Sequence, residues 1–261
     1  MLRFCSLGSG SSGNATLVEA RSGTTTSRVL VDCGFTQREL NARLARAGLA
    51  AHDIDAIFVT HEHGDHIGCA LPFARRHGIE LWMSRGTWRA IGATEEVVPE
   101  QLRFARDGEP ITIGDLQLSP YTVPHDAQEP LQLCFSDGAS RLGVLTDVGS
   151  VTAHLLEHLR GCHALLLECN HDRELLAASR YPASLKSRIG GRYGHLSNDT
   201  AAQILASCLH DGLRHVVAAH LSRENNRPEL ALAALAAVSG ADECDLRAAG
   251  PQWGFDWLEL R

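Results

Sequence analysis

The chain has 261 residues, 44% apolar and 21% charged, enough for one large globular domain or two small ones with a real core. A formal net charge of −7 argues against a surface that coats nucleic acid indiscriminately, though not against a local basic groove. No run of eighteen apolar residues occurs, residues 1–6 lack the apolar stretch of a signal peptide, and the eight cysteines form no CxxC pair, so the expectation is a cytoplasmic protein with reduced thiols and no membrane span, zinc ribbon or disulfide framework.

Residues 2–7 read as a first strand, followed by a Gly/Ser loop, GSGSSGN, at 8–14. Such a loop is either a flexible turn or a surface of backbone N–H groups and hydroxyls that approaches a phosphate. Residues 15–20 and 28–31 are strands joined by a turn, and Asp32 ends the second. Residues 36–47 have helical periodicity, with Leu40 and Leu44 on one face and Gly48 as a stop. The apolar run 54–59 reads as a short buried strand that delivers His61, Glu62, His63, Gly64, Asp65 and His66, ahead of a helix over 69–77. A strand-to-helix loop is where open α/β layers place their ligands. His61 and His63 are two apart, so an extended backbone aims them the same way, and neutral imidazole is the commonest nitrogen donor for borderline metals. Asp65 and His66 lie where the loop turns back and point at a neighbouring position. The natural reading is two adjacent metal ions, one on His61 and His63 and one on Asp65 and His66. A polar surface turn is a poor account of four ligand-type side chains in six residues.

Further along, 79–83 reads as a strand, 85–91 as a helix, and 92–120 as a less regular stretch crossing to a second sheet, with a hairpin around Gly114 and Asp115. Residues 121–123 deliver His125 and Asp126; a lone histidine after a strand is, by itself, more often structural. Residues 131–136 and 141–145 are paired strands around Asp137 and Gly138, and Asp147 follows at a strand end. A carboxylate there could give one oxygen to each of two metals, as two-metal hydrolysis needs. A helix over 151–159 and a buried strand over 164–167 lead to ECNHD at 168–172, polar residues that contact substrate, support the site or are plain loop chemistry. Residues 175–198 contain no acid but carry Arg180, Lys186 (the only lysine), Arg188 and Arg192, with Tyr181 and Tyr193 interleaved. This patch is either a set of phosphate contacts with tyrosines for base stacking, or a solvated helical face. A helix over 199–209 is capped by Ser197 or Asn198, and the strand 215–219 ends at His220, followed by Arg223, Asn225 and Asn226, which could bind phosphate oxygens. An Ala-rich helix spans 228–238, and 246–260 reads as closing strands in which Trp253, Phe255 and Trp257 alternate for core packing.

The run from His61 to His66 resembles the HxHxDH signature of the metallo-β-lactamase superfamily. More narrowly, the chain resembles the YycJ/WalJ group of small bacterial proteins described as exonucleases. That resemblance rests on GSGSSGN at 8–14, PHDA at 124–127, LTDVG at 145–149, ECNHD at 168–172, GHLSN at 194–198 and HLSRENN at 220–226. It implies an α/β (α+β) fold, a four-layer αββα sandwich of two mixed sheets flanked by helices, formed by residues 1–261 as a single domain. It implies His125 as the third ligand of the first metal and His220 as the last ligand of the second, beside Asp65 and His66, with Asp147 bridging. Asp32 is then a carboxylate that supports the metal loop, as ligating imidazoles require, and Asp126 orients His125 or its loop. His195 resembles an accessory histidine that touches the scissile phosphate or protonates the leaving group. Ser9, Ser11, Ser12 and Asn14 join Arg188, Arg192, Asn225 and Asn226 as expected substrate contacts.

These pieces predict a dinuclear metal-dependent phosphodiester hydrolase in which two divalent cations (Zn²⁺, Mn²⁺ or Fe) activate a bridging water, Asp65 also holds the nucleophile, and His195 acts as acid. The resemblance implies DNA cleaved from a 5′ end. The first alternative is a small-molecule hydrolase: a cyclic phosphodiesterase, or a thioester or lactam hydrolase, to which the net charge leans. The second is a regulatory module with an idle site, which a complete ligand set disfavours. Nothing in the pattern sets the oligomeric state.

Overall fold

The computed structural model describes residues 1–92, 99–238 and 240–260. In chain order the elements are β1 (Leu2–Gly8), β2 (Ala15–Ser22), β3 (Thr25–Val31), α1 (Gln37–Arg46), β4 (Ala56–Phe58), α2 (Gly64–Ile67), α3 (Ala70–His77), β5 (Glu80–Met83), α4 (Arg85–Ala90), β6 (Leu102–Phe104), β7 (Ile111–Ile113), β8 (Leu116–Thr122), β9 (Leu131–Ser136), β10 (Arg141–Leu145), α5 (Ala153–Leu159), β11 (Ala164–Glu168), α6 (Arg173–Ala178), α7 (Ala183–Ile189), α8 (Asn198–Cys208), β12 (His215–Ala219), α9 (Pro228–Ala236), β13 (Asp245–Ala248) and β14 (Phe255–Leu260). Local chemistry sets many of the boundaries. Thr36 caps α1 by accepting from the Glu39 N–H, and Ser197 caps α8 by accepting from the Thr200 N–H.

Two seven-stranded sheets form, in the orders β14-β1-β2-β3-β4-β5-β6 and β13-β12-β11-β10-β9-β8-β7. Each is mixed: β3 to β6 and β10 to β13 run parallel, and the remaining pairs are antiparallel. The sheets face each other across a core of side chains such as Phe4, Val29, Phe58, Leu118, Phe135 and Val144. A second core packs α1 and α3 on the outer face of the first sheet through Leu17, Leu30, Leu40, Leu44 and Phe73. A third packs α5, α8 and α9 on the second sheet through Leu155, Leu165, Ile204, Leu205, Val216 and Leu235. The result is a helix–sheet–sheet–helix sandwich. Strands buried on both faces read as unbroken apolar runs, as β11 (ALLLE) does.

One expectation needs correction and one gains a detail. The stretch 92–120 does cross to the second sheet, where β7 and β8 pair, but β6 first adds an edge strand to the first sheet, parallel to β5. Three residues are too short to show a period; residues 93–98 of that stretch lie outside the described residues. The aromatic tail does not share one face. Trp253 is 70% exposed, in a turn beneath the Arg46 guanidinium. A bulge between β1 and β14 shifts the register, so Phe255 packs toward the inter-sheet core and Trp257 toward the helix-covered core.

The topology brings the carboxyl ends of parallel strands from both sheets to one edge. Asp32 follows β3, Thr60 and His61 follow β4, Asp147 follows β10, Glu168 ends β11 and His220 follows β12. Among the described residues, no helix is long and apolar enough to cross a membrane.

Candidate metal centre

At that edge His61, His63 and His125 form one group of convergent nitrogens, and Asp65, His66 and His220 form another. His63 Nδ1 lies 3.0 Å from His61 Nε2 and 3.3 Å from His125 Nε2. Ligands around one tetrahedral cation with metal–nitrogen distances of about 2.0–2.1 Å have that spacing. In the second group Asp65 Oδ2 is 3.2 Å from His220 Nε2 and 3.6 Å from His66 Nε2. Asp147 stands between the two groups. Its Oδ2 is 2.9 Å from His66 Nε2, and its Oδ1 is 3.3 Å from His220 Nδ1 and 3.8 Å from His125 Nε2.

Several of these approaches lack hydrogen-bond geometry: Asp147 Oδ2 and His220 Nδ1 are buried without a hydrogen-bond partner among the described residues. Buried polar atoms normally find partners, so a carboxylate oxygen and a ring nitrogen left without one at the meeting point of the two groups suit a cation. The donor set, imidazole with carboxylate, matches zinc, manganese or iron. His61, His63 and His125 could hold one divalent ion and Asp65, His66 and His220 a second, with Asp147 within reach of both.

The charge balance points the same way. Burial opposes charge on His66 and His220, but Asp147 and neighbouring carboxylates overcome it, lifting His66 well above the ordinary imidazole range and His220 to about 10. Burial works against ionisation of Asp147 too, yet His220 and His66 hold its carboxyl well below the usual value. Burial, reinforced by His66, keeps His61 neutral. The clustered negative charge is balanced by protons that a bound cation would displace.

The metal loop is clamped from behind. Asp32 accepts from the Thr60 N–H and hydroxyl, each within 3.0 Å, and sits 2.7 Å from His66 Nδ1. His66 O accepts from Cys33 N, and Asp65 O accepts from Asn14 N. Gly34 lies so close that a Cβ there would fall 1.8 Å from Asp65 O, so only glycine fits. Asp32 and His220 both have positive φ, 63° and 53°. Residues without glycine's freedom hold that conformation only where surrounding bonds fix it. For His220 these are its N–H to Ser9 Oγ at 2.8 Å and its carbonyl accepting from Asn170 Nδ2 at 3.0 Å. His125 Nδ1 donates to Gly194 O at 2.9 Å, which leaves Nε2 for the centre.

Sequence reasoning left Glu168 open between substrate contact, support of the site and plain loop chemistry. It is fully buried, lies 2.6 Å from His195 Nδ1 and 3.5 Å from His220 Nδ1, and accepts the Val148 and Leu196 N–H groups. Register was the missing signal: β10 and β11 pair Leu145 with Leu167, which sets Glu168 beside Thr146 and Asp147. Burial alone would lower the His195 pKa, but Glu168 and Asp147 raise it above the ordinary value. His195 is 20% exposed on its side chain, at the mouth of the centre.

The expected substrate contacts divide. Ser11, Ser12, Arg188 and Arg192 are exposed. Arg188 pairs with Asp126 at 2.6 Å, and Asp126 Oδ1 lies 3.4 Å from His125 Nε2, so this arginine rims the centre. Ser9, Asn14, Asn225 and Asn226 are buried instead. Asn14 Nδ2 reaches Gly10 O and Asp65 O, each at 3.2 Å, and lies 3.1 Å from His66 Nε2. Asn226 Nδ2 bonds Cys169 O and the Asn198 side chain. These four amides and hydroxyls shape the loops that carry ligands. All eight cysteines are free of disulfides.

Residues 27–220 match the Beta-lactamase superfamily domain. The chain is 36% identical over 231 residues to Exodeoxyribonuclease YycJ of Bacillus anthracis, covering 88% of this chain and 86% of that protein. It is 34% identical over 232 residues to Exodeoxyribonuclease WalJ of Streptococcus pneumoniae, covering 88% and 85%. Among solved structures, the metallo-β-lactamase fold protein YhfI from Bacillus subtilis aligns with a TM-score of 0.74 at 17% identity, covering 99% of this chain and 100% of that one.

Proposed function

The chain belongs to the metallo-β-lactamase superfamily, as a YycJ/WalJ-like metal-dependent hydrolase of ester bonds, and from that premise we propose that it is a dinuclear DNA exonuclease acting from a 5′ end. The observation that carries the two-metal part of this reading is Asp147, whose two oxygens face the two imidazole groups at 2.9 and 3.8 Å, while the exodeoxyribonuclease relatives support DNA as substrate. In this reading residues 1–261 form one domain, His61, His63 and His125 hold one ion, and Asp65, His66 and His220 hold the other. Divalent cations bound there would lower the pKa of a water and offset charge on the phosphoryl oxygens.

The chain's own residues do the rest. Asp65, whose Oδ2 faces His220 and His66, also holds the attacking water by accepting a hydrogen bond from it. His195, with Nδ1 committed to Glu168, keeps Nε2 for the leaving oxygen, and its raised pKa suits a proton donor near neutral pH. Asp32 and Asn14 fix the loop, so the ligand nitrogens need no reorganisation. Arg188, paired with Asp126 on the rim, and the exposed Arg192 are cationic groups in an otherwise acidic chain, which favours a polyanionic substrate. Eight free thiols fit a reducing compartment, which we take to be the cytoplasm.

The test is degradation of end-labelled single- and double-stranded DNA and RNA by the purified protein with Mn²⁺ or Zn²⁺, beside a His63→Ala variant and bis-p-nitrophenyl phosphate. Stepwise loss of DNA from the 5′ end, absent in the variant, is expected. Cleavage of the small diester alone would replace this reading with a small-molecule phosphodiesterase.

A further inference from the structure

Beside His195, away from the two ligand groups, lies a cavity of about 390 Å³ walled by α6, α7 and the start of α8. It is the size of a small-ligand site rather than a groove for a continuous strand. Its lining includes Arg173, Lys186, Ser197, Thr200, His171 and His195 and, among the described residues, no carboxylate.

Three features of this wall favour an anion, and a fourth leaves a polar atom to be paired. Ser197 and Thr200 are the cap and first turn of an eleven-residue helix, so the positive end of the α8 dipole opens into the cavity. Arg173 Nε bonds Ser197 Oγ at 3.1 Å; Asp199 on the rim balances part of its charge at 3.2 Å. Lys186 Nζ donates one hydrogen bond to Ala177 O at 2.6 Å and keeps two N–H groups for another partner. His171 is 3% exposed, and its Nδ1 has no hydrogen-bond partner among the described residues. A buried ring nitrogen left without a partner, in a polar cavity, marks a place for a ligand atom.

We propose that this cavity binds the terminal phosphomonoester of the strand being degraded, seating its end beside His195. A phosphomonoester carries about −1.5 to −2 charge at neutral pH, against −1 for an internal diester, so two cations and a helix N-terminus discriminate in its favour. An occupied cavity would make the enzyme count from the end. The inference rests on the proposed nuclease reading, and the test separates the two.

Initial rates are measured on otherwise identical DNA ending in 5′-phosphate, 5′-hydroxyl or 3′-phosphate, for the metal-loaded wild type, Lys186→Ala, Thr200→Val and Lys186→Arg. One lost charge-assisted contact corresponds to about tenfold. The wild type is expected to prefer 5′-phosphate ends by about that factor or more, Lys186→Ala and Thr200→Val to lose most of the preference, and Lys186→Arg to regain it. No preference in the wild type, or a preference unchanged in both Lys186→Ala and Thr200→Val, overturns the proposal. If no DNA is degraded, the nuclease reading has failed and calorimetry decides the cavity. Thymidine 5′-monophosphate binding more tightly than thymidine, with the gap narrowing in Lys186→Ala, keeps the cavity as a phosphomonoester site and overturns its tie to strand degradation. An equal gap in wild type and variant rejects it and leaves the phosphate on the metal centre.

Discussion

Asp32 Oδ2 lies 2.7 Å from His66 Nδ1, while the other oxygen of the same carboxylate holds the Thr60 N–H. One side chain therefore fixes both the backbone of the loop and the proton of a fully buried imidazole, leaving His66 Nε2 to face Asp147. Supporting carboxylates of this kind are worth about 10–100-fold in metal affinity. Asp32→Ala should weaken retention of the second ion by that amount, read by metal analysis after titration with a chelator. Unchanged affinity would mean that the loop holds its shape without Asp32.

Asp147→Asn keeps the volume of the side chain but removes the charge that faces both imidazole groups. The purified variant should hold fewer than two equivalents of metal, with hydrolysis falling by at least about 10²-fold, in keeping with loss of the electrostatic stabilisation it helps assemble. Two tightly held ions in that variant would argue against bridging.

If His195 protonates the leaving oxygen, its importance depends on how much the leaving group needs a proton. His195→Ala should cut DNA hydrolysis by about 10²–10⁴-fold and slow the p-nitrophenyl diester far less, since nitrophenolate leaves without assistance. Equal losses on both would make His195 a support for His220 and Glu168, which it neighbours.

Arg188 and Arg192 are both exposed, and Arg188 pairs with Asp126 on the rim of the centre. Their double replacement by Gln should weaken DNA binding and reduce the slope of log K against log salt by about 1–2, roughly 0.9 per lost phosphate contact. A parallel loss on the small diester would show that the pair shapes the centre.

Far from the centre, Glu19 has a fully buried side chain contacted by Arg3, Arg21 and Arg28 at 2.5–2.7 Å. Burial resists its ionisation, but hydrogen bonds from the three guanidinium groups prevail and lower its pKa. A depressed carboxylate pKa stabilises the fold above the unfolded value of about 4.3, and that contribution fades as pH falls through the folded value. Glu19→Gln should cost about 3 kcal/mol near pH 7, and the gap to wild type should close on acidification in denaturant titrations. A pH-independent gap would point to lost packing instead.

The sequence by itself was enough to point to the candidate metal loop, because His61, His63, Asp65 and His66 lie within six residues and a strand-to-helix turn delivers all of them. It also determined most helices and buried strands, whose period and caps are local. What only the tertiary structure decided came from contacts distant in the chain. Glu168 reads as one polar residue after an apolar run until the register against β10 places it beside Asp147 and His195. Ser9 and Asn14 look like a phosphate-facing loop until that loop folds over His220 and Asp65, 211 and 51 residues away, and spends its polar groups there. The aromatic tail lost its alternation to one bulge. Periodicity reports which face a residue takes within its own element. Which polar atoms are consumed, and which are left for metal and substrate, depends on how the ends of two sheets meet.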